Sequence, residues 1–219
     1  MTRGQHRALD TLSPRFGLEP GDELIAPDQV FGRAAPLGLE IGFGMGQALL
    51  HWARACPNWN LLGAEVYQPG IGSLLLGLER ERLEHVRVVE RPAEDLLARN
   101  LPPDSLDEVR IFFPDPWPKK RHLKRRLIQP AFAQLLATRL KPDAVLWLAT
   151  DWEPYAHWML EVLDAVPCMR NDAGPGCFAG VSSGTEARPQ TRFEARGIRL
   201  GHGVWDLRYV RNRASTPSR

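Results

Sequence analysis

LGLEIGFGMGQALLHWARA, residues 37–55, decides the fold. Its first five residues, LGLEI (37–41), are an apolar run of strand length. Three glycines on alternate positions follow (Gly42, Gly44 and Gly46), and then Leu49, Leu50 and Ala53 recur at helical spacing. Strand, glycine turn and helix in that order open a βαβ unit. Glycine lets the backbone turn tightly and approach a ligand with no side chain between them. The dinucleotide fingerprint G-x-G-x-x-G requires a further glycine where Gln47 stands, so the stretch departs from it.

Outward from this stretch the pattern repeats. NLLGAEV (60–66) reads as a second strand, followed by a helix over 69–84. HVRVVE (85–90) is a third strand and PAEDLLA (92–98) a short helix. DEVRIFF (107–113) is a fourth strand, and Pro130 starts a helix striped by Phe132, Leu135, Leu136 and Leu140. AVLWLAT (144–150) is a fifth strand, followed by a helix over 151–166. Residues 174–184, rich in Gly and Ser, read as a mobile loop, and VWDLRYV (204–210) alternates as a last strand. Five alternations of strand and helix predict an α/β protein with a doubly wound, mostly parallel, Rossmann-like sheet. Residues 1–36, punctuated by four prolines, read as an irregular N-terminal arm, 37–211 as the domain and 212–219 as a polar tail.

Ligands of such sheets sit beyond the carboxyl ends of the strands. That rule selects Glu40 with its glycines, Glu65, Asp115 and Asp151, at the ends of strands one, two, four and five. Glu65 is suited to accept hydrogen bonds from both hydroxyls of a ribose.

The chain of 219 residues, 43% apolar, is long enough for one domain with a full core. Net charge is only +2, but it is unevenly spread. Between Asp115 and Asp143 lie eight Lys and Arg and no acid, and six of them fall within Lys119–Arg126. The remaining chain carries 20 basic against 26 acidic residues. A local cationic run beside Trp117 fits a polyanion, and without an amphipathic stripe a nucleic acid is expected rather than a membrane. Asp115, stiffened by Pro114 and Pro116, stands at the start of that run. Three cysteines without CxxC spacing and six scattered histidines predict neither a disulfide framework nor a metal site. No apolar run has the length of a membrane span, and MTRGQHRALD has no apolar signal region. A soluble, cytoplasmic protein is expected.

The block FFPDPWPKKRHLKRR resembles the signature of the bacterial tRNA (guanine-N7)-methyltransferase family. GAEVYQPG, ATDWEPYAHWM, TRFEARG and GHGVWDL are similar to its other blocks, and GQHRALDTLSPRFGL to its N-terminal arm. The resemblance runs from about residue 4 to 210 in the family's order. It implies a Rossmann-like methyltransferase sheet with an antiparallel strand near the C-terminus. It further implies S-adenosylmethionine as cofactor, tRNA as partner, and 7-methylguanosine in the variable loop (guanine 46) as product, with no metal and no obligate protein partner. By the same resemblance Glu40, Gly42, Gly44, Gly46, Glu65 and Asp115 bind the cofactor, and Asp115 is also catalytic. Lys119, Asp151, Thr191, Arg192, Phe193 and Glu194 hold the guanosine, and Arg121, His122, Leu123, Lys124, Arg125 and Arg126 contact the tRNA.

One departure is visible after strand three, where the family's Asp or Asn before an Ala is replaced by Pro92, leaving backbone or Glu94 to address the adenine. Asp151 also reads as an N-cap of the following helix. Two other readings stay open. An exocyclic-amine methyltransferase uses a related D/N-P-P-aromatic loop, and a tRNA-binding protein with a degenerate cofactor pocket would bind tRNA without the cofactor.

Overall fold

Thr2 and Gln5 cap each other at the start of the chain. Thr2 Oγ1 accepts the Gln5 N–H at 3.2 Å and Gln5 Oε1 accepts the Thr2 N–H at 2.7 Å. This reciprocal cap satisfies two orphan donors and starts a helix, α1 (Arg3–Phe16), where an irregular arm was expected. Ala8, Leu12 and Phe16 form its buried stripe, and Pro14, which has no N–H to give the carbonyl one turn back, lies in its last turn. The computed structural model describes residues 1–180 and 203–213. Thr191, Arg192, Phe193 and Glu194 lie outside the described residues, as does most of the polar tail.

The first of two compact units runs to residue 102. After α1 come a short helix α2 (Pro27–Phe31), β1 (Leu37–Ile41), α3 (Gln47–Ala55), β2 (Asn60–Glu65), α4 (Gln68–Glu81) and β3 (Val86–Glu90). A single helical turn, α5 (Ala93–Asp95), widens into a π-type turn through Asn100. β1 pairs in parallel with β2, and β2 with β3. Every β1 residue is buried, as expected for a strand covered on both faces. Trp52 from α3 lies so close over β1 that a Cβ at Gly38 would come within 2.3 Å of its ring. α4 stops at Glu81, short of residue 84, because Arg82 turns left-handed (φ 55°) and closes the helix.

In the second unit, β4 (Leu106–Phe112) leads through a 3₁₀ segment (Lys120–Arg125) to α6 (Pro130–Arg139) and β5 (Leu140–Thr150). Then come α7 (Glu153–Asp164), β6 (Met169–Asn171) and β7 (Trp205–Arg211). β4 and β5 are parallel, whereas β7 runs antiparallel to both β5 and β6. The seven strands are ordered β3-β2-β1-β4-β5-β7-β6. β6 is only three residues long and carried no readable alternation. No helix of the described residues is long and apolar enough to cross a membrane.

Candidate functional site

The glycine turn between β1 and α3 is held in a conformation that only glycine adopts at low cost. Gly42, Gly44 and Gly46 all have positive φ (71°, 54° and 81°). Their surroundings differ. A Cβ at Gly46 would come within 2.8 Å of Leu74, so that glycine serves packing. At Gly42 and Gly44 a Cβ would meet nothing within 4 Å, so the turn presents bare backbone to open space.

Glu65 ends β2 and reaches this turn. Its Oε2 accepts the Gly44 N–H at 2.8 Å, while Oε1 accepts those of Val66 (2.8 Å) and Tyr67 (3.0 Å). Three donors occupy three of roughly four acceptor positions of a carboxylate, and the side chain is only half-buried, so a hydroxyl can still be accepted. Glu40 is buried in β1, 2% exposed. Behind the turn stands a residue the sequence reading did not single out. A Cβ at Gly70, in the first turn of α4, would lie 2.0 Å from the Gly44 carbonyl oxygen. Gly70 thus lets α4 press against the turn from below. Its only signal in the sequence was a glycine just after a strand end. Pro92 precedes α5, and Glu94 is exposed there.

Carboxylates and open glycine backbone suit a nucleoside carrying a positive charge and no phosphate. Among the described residues, the open backbone of Gly42 and Gly44 and the half-buried carboxylate of Glu65 could hold one, with Glu40 buried at the end of β1. Among the described residues no group of three His, Cys, Asp or Glu is placed to hold a metal ion.

The second cluster follows β4. Two non-glycine residues here have left-handed backbone, Phe113 (φ 52°) and Trp117 (φ 41°). Such conformations cost about 1–3 kcal/mol each and persist only where surroundings hold them. Phe113 is held by its N–H, which donates to the Ala149 carbonyl at 2.7 Å. Between the two lies Asp115, exposed and accepting no hydrogen bond among the described residues. The Trp117 ring is met edge-on by His122 (5.7 Å between centroids) and covered by the Arg125 guanidinium at 5.0 Å.

The basic run is not uniform. Lys119, Arg121, Lys124 and Arg125 are exposed, and His122 and Leu123 are half-buried. Arg126 is only 6% exposed and turns inward. Its Nε donates to the Pro116 carbonyl at 2.9 Å, and its guanidinium stacks 4.7 Å from the centroid of the Tyr155 ring. The expectation that Arg126 touches tRNA therefore meets a side chain already spent inside the protein. Tyr155 is fully buried, and burial, with the Asp115 charge adding to it, pushes its phenol up to about 12. The neutral hydroxyl accepts the Ile128 N–H at 3.1 Å.

Asp151 lies one residue before the cap of α7 rather than at it. Trp152 is the N-cap residue, no side chain caps the helix, and the Trp152 N–H donates to Thr150 Oγ1 at 3.3 Å. Asp151 is half-buried, and its carboxylate accepts no hydrogen bond among the described residues.

Residues 34–207 match a family model described as "Putative methyltransferase". The tRNA (guanine-N(7)-)-methyltransferase of Pseudomonas aeruginosa (strain UCBPP-PA14) is 51% identical over 211 residues, 96% of this chain and 85% of its own length. That of Alcanivorax borkumensis is 49% identical over 207 residues, 94% of this chain and 85% of its own. Among solved structures, the 16S rRNA methyltransferase KamB superposes with a TM-score of 0.58 at 15% identity, covering 85% of this chain and 92% of that one. At that identity KamB speaks for the Rossmann-like fold alone. The matched span and the half-identical relatives settle the lineage: this chain belongs to the tRNA (guanine-N7)-methyltransferase family.

Proposed function

We propose that the protein methylates guanine N7 in tRNA, at guanine 46 of the variable loop, using S-adenosylmethionine. The observation that carries the reading is the open, carboxylate-edged glycine turn of Gly42, Gly44 and Glu65, in a chain that also sets the exposed Asp115 at the start of an exposed cationic run. The half-identical relatives named tRNA (guanine-N(7)-)-methyltransferase support methylation of guanine N7 in tRNA.

Glu65 takes a ribose hydroxyl at its remaining acceptor position, the bare backbone at Gly42 and Gly44 lies against the nucleoside, and Glu40 sits beside them. S-adenosylmethionine, when bound, supplies the methyl group from its sulfonium. Guanine N7 already offers an in-plane lone pair, so no residue need remove a proton. The work of the chain is alignment, which is worth on the order of 7 kcal/mol at the well-oriented limit. Asp115 orients the reactants and stabilises the positive charge that the ring gains. Asp151 and Glu194 accept from the N1–H and N2–H₂ edge, which selects guanine over adenine. Lys119, Thr191, Arg192 and Phe193 complete the guanosine site. Arg121, Lys124 and Arg125 carry the phosphates, with His122 and Leu123 beside them. The base must leave its stack to be reached. This activity belongs in the cytoplasm, with its substrate.

The test is to incubate the protein with labelled S-adenosylmethionine and unmodified tRNA and to map the modified base. Label at N7 of guanine 46 is expected. Label on an exocyclic amine, or tRNA binding without cofactor binding, overturns the reading.

A further inference from the structure

Six cations in eight residues look alike in the sequence, yet one of them does different work. The loop from Phe113 to Trp117 carries two left-handed residues and has prolines at 114 and 116, which offer no N–H for a hydrogen bond. Its upstream end is fixed by the bond from Phe113 to Ala149. Its downstream end is held by a side chain, through the hydrogen bond from Arg126 Nε to the Pro116 carbonyl. The carbonyl belongs to the residue next to Asp115. Arg126 is itself locked, stacked on the fully buried Tyr155, whose hydroxyl accepts the Ile128 N–H. Ile128 is fixed in turn by its carbonyl, which accepts the Trp158 indole N–H at 2.7 Å.

We infer that Arg126 is a positioning residue, which fixes the Asp115 loop through the Pro116 carbonyl and Tyr155, and is not a ligand of tRNA phosphate. The guanidinium is suited to this role because it donates in its plane while stacking through its face. A lysine keeps the charge but cannot do both. The role of the loop in methyl transfer rests on the function proposed above, whereas the fixing of the loop does not.

The experiment compares wild type, Arg126→Lys and Arg126→Met. Circular dichroism selects folded variants, and Arg126→Lys serves if the Met variant does not fold. Methyl transfer to tRNA should lose about tenfold or more in kcat, the cost of a misplaced reacting group. The Michaelis constant for tRNA and the salt dependence of binding should stay at wild-type values. In protein labelled with 5-fluorotryptophan, the ¹⁹F resonance of Trp117, assigned by its loss in Trp117→Phe, should shift in both variants. A fall of about 0.9 in the slope of log K against log salt with kcat retained identifies a phosphate ligand and overturns the inference. An unmoved Trp117 resonance also overturns it. A wild-type protein that transfers no methyl would defeat the proposed function, and the fluorine spectrum would still decide whether Arg126 holds the loop.

Discussion

Gly44 donates its backbone N–H to Glu65 Oε2 across 2.8 Å, so the residue that ends β2 also shapes the turn that follows β1. Glu65→Ala should weaken S-adenosylmethionine binding by roughly 10- to 150-fold, the equivalent of 1.5–3 kcal/mol for bonds to a charged acceptor. Glu65→Gln should not rescue it, because the amide NH₂ would face one of the three backbone donors. Calorimetry on folded variants with unchanged cofactor affinity would remove Glu65 from the site.

Gly70→Ala places a methyl group 2.0 Å from the Gly44 carbonyl oxygen, and backbone rather than a flexible side chain must yield. Cofactor affinity should fall while tRNA affinity persists. Equal affinities in variant and wild type would show that α4 can retreat without moving the turn.

Lys120, Arg121 and Lys124 can be neutralised without touching Trp117 or Arg126. For a duplex-like site, the slope of log K for tRNA against log salt should then fall by up to about 2.7, with cofactor affinity unchanged. A slope equal to that of wild type would make the run an ordinary solvated loop.

Asp115 and Asp151 should fail differently. Asp115→Asn keeps shape and removes charge, so turnover should collapse while tRNA stays bound. Asp151→Asn sets a donor against the donors of guanine and should raise the Michaelis constant. Because Trp152, not Asp151, occupies the N-cap position of α7, even Asp151→Ala should leave melting nearly unchanged, whereas loss of a true Asp cap costs about 1 kcal/mol. Steady-state kinetics and melting curves separate these outcomes, and retained turnover in Asp115→Asn would falsify its catalytic assignment.

His85 Nε2 lies 3.0 Å from the Ala53 carbonyl, and donates to it in the neutral ring. Burial lowers its pKa from 6.5, the hydrogen bond to Ala53 opposes this, and the Arg33 charge adds to it. The folded state therefore binds the proton less readily than the unfolded chain. The stability from neutral His85 is complete above pH 6.5 and is lost as the pH falls through the lower folded value. Melting curves of His85→Gln against wild type should differ in slope below that pH. Parallel curves would refute the assignment.

Much of this was legible because local chemistry dictated it. The glycines of 42–46 announced positive φ, and the apolar runs announced buried parallel strands. The cap of α1 was equally legible in Thr2-x-x-Gln5, but the prolines that follow drew the reading toward an irregular arm. Arg126 was not legible at all. Its burial depends on Tyr155, 29 positions away, and nothing in a run of like charges says which one turns inward. Asp151 shows the same limit, since α7 begins one residue later than the local preference for an acid at the cap would place it.

β3 lies at the outer edge of the sheet, where unpaired N–H and C=O groups can recruit a strand from another chain. Where α1 ends, Gly17 lies against Val88 as a parallel bridge, and the Leu18 N–H donates to the Val88 carbonyl at 2.8 Å. The arm thus stands guard over β3. A shortened chain beginning after Leu18 would keep every residue assigned here to chemistry, yet it would offer β3 to its neighbours as a template for self-association.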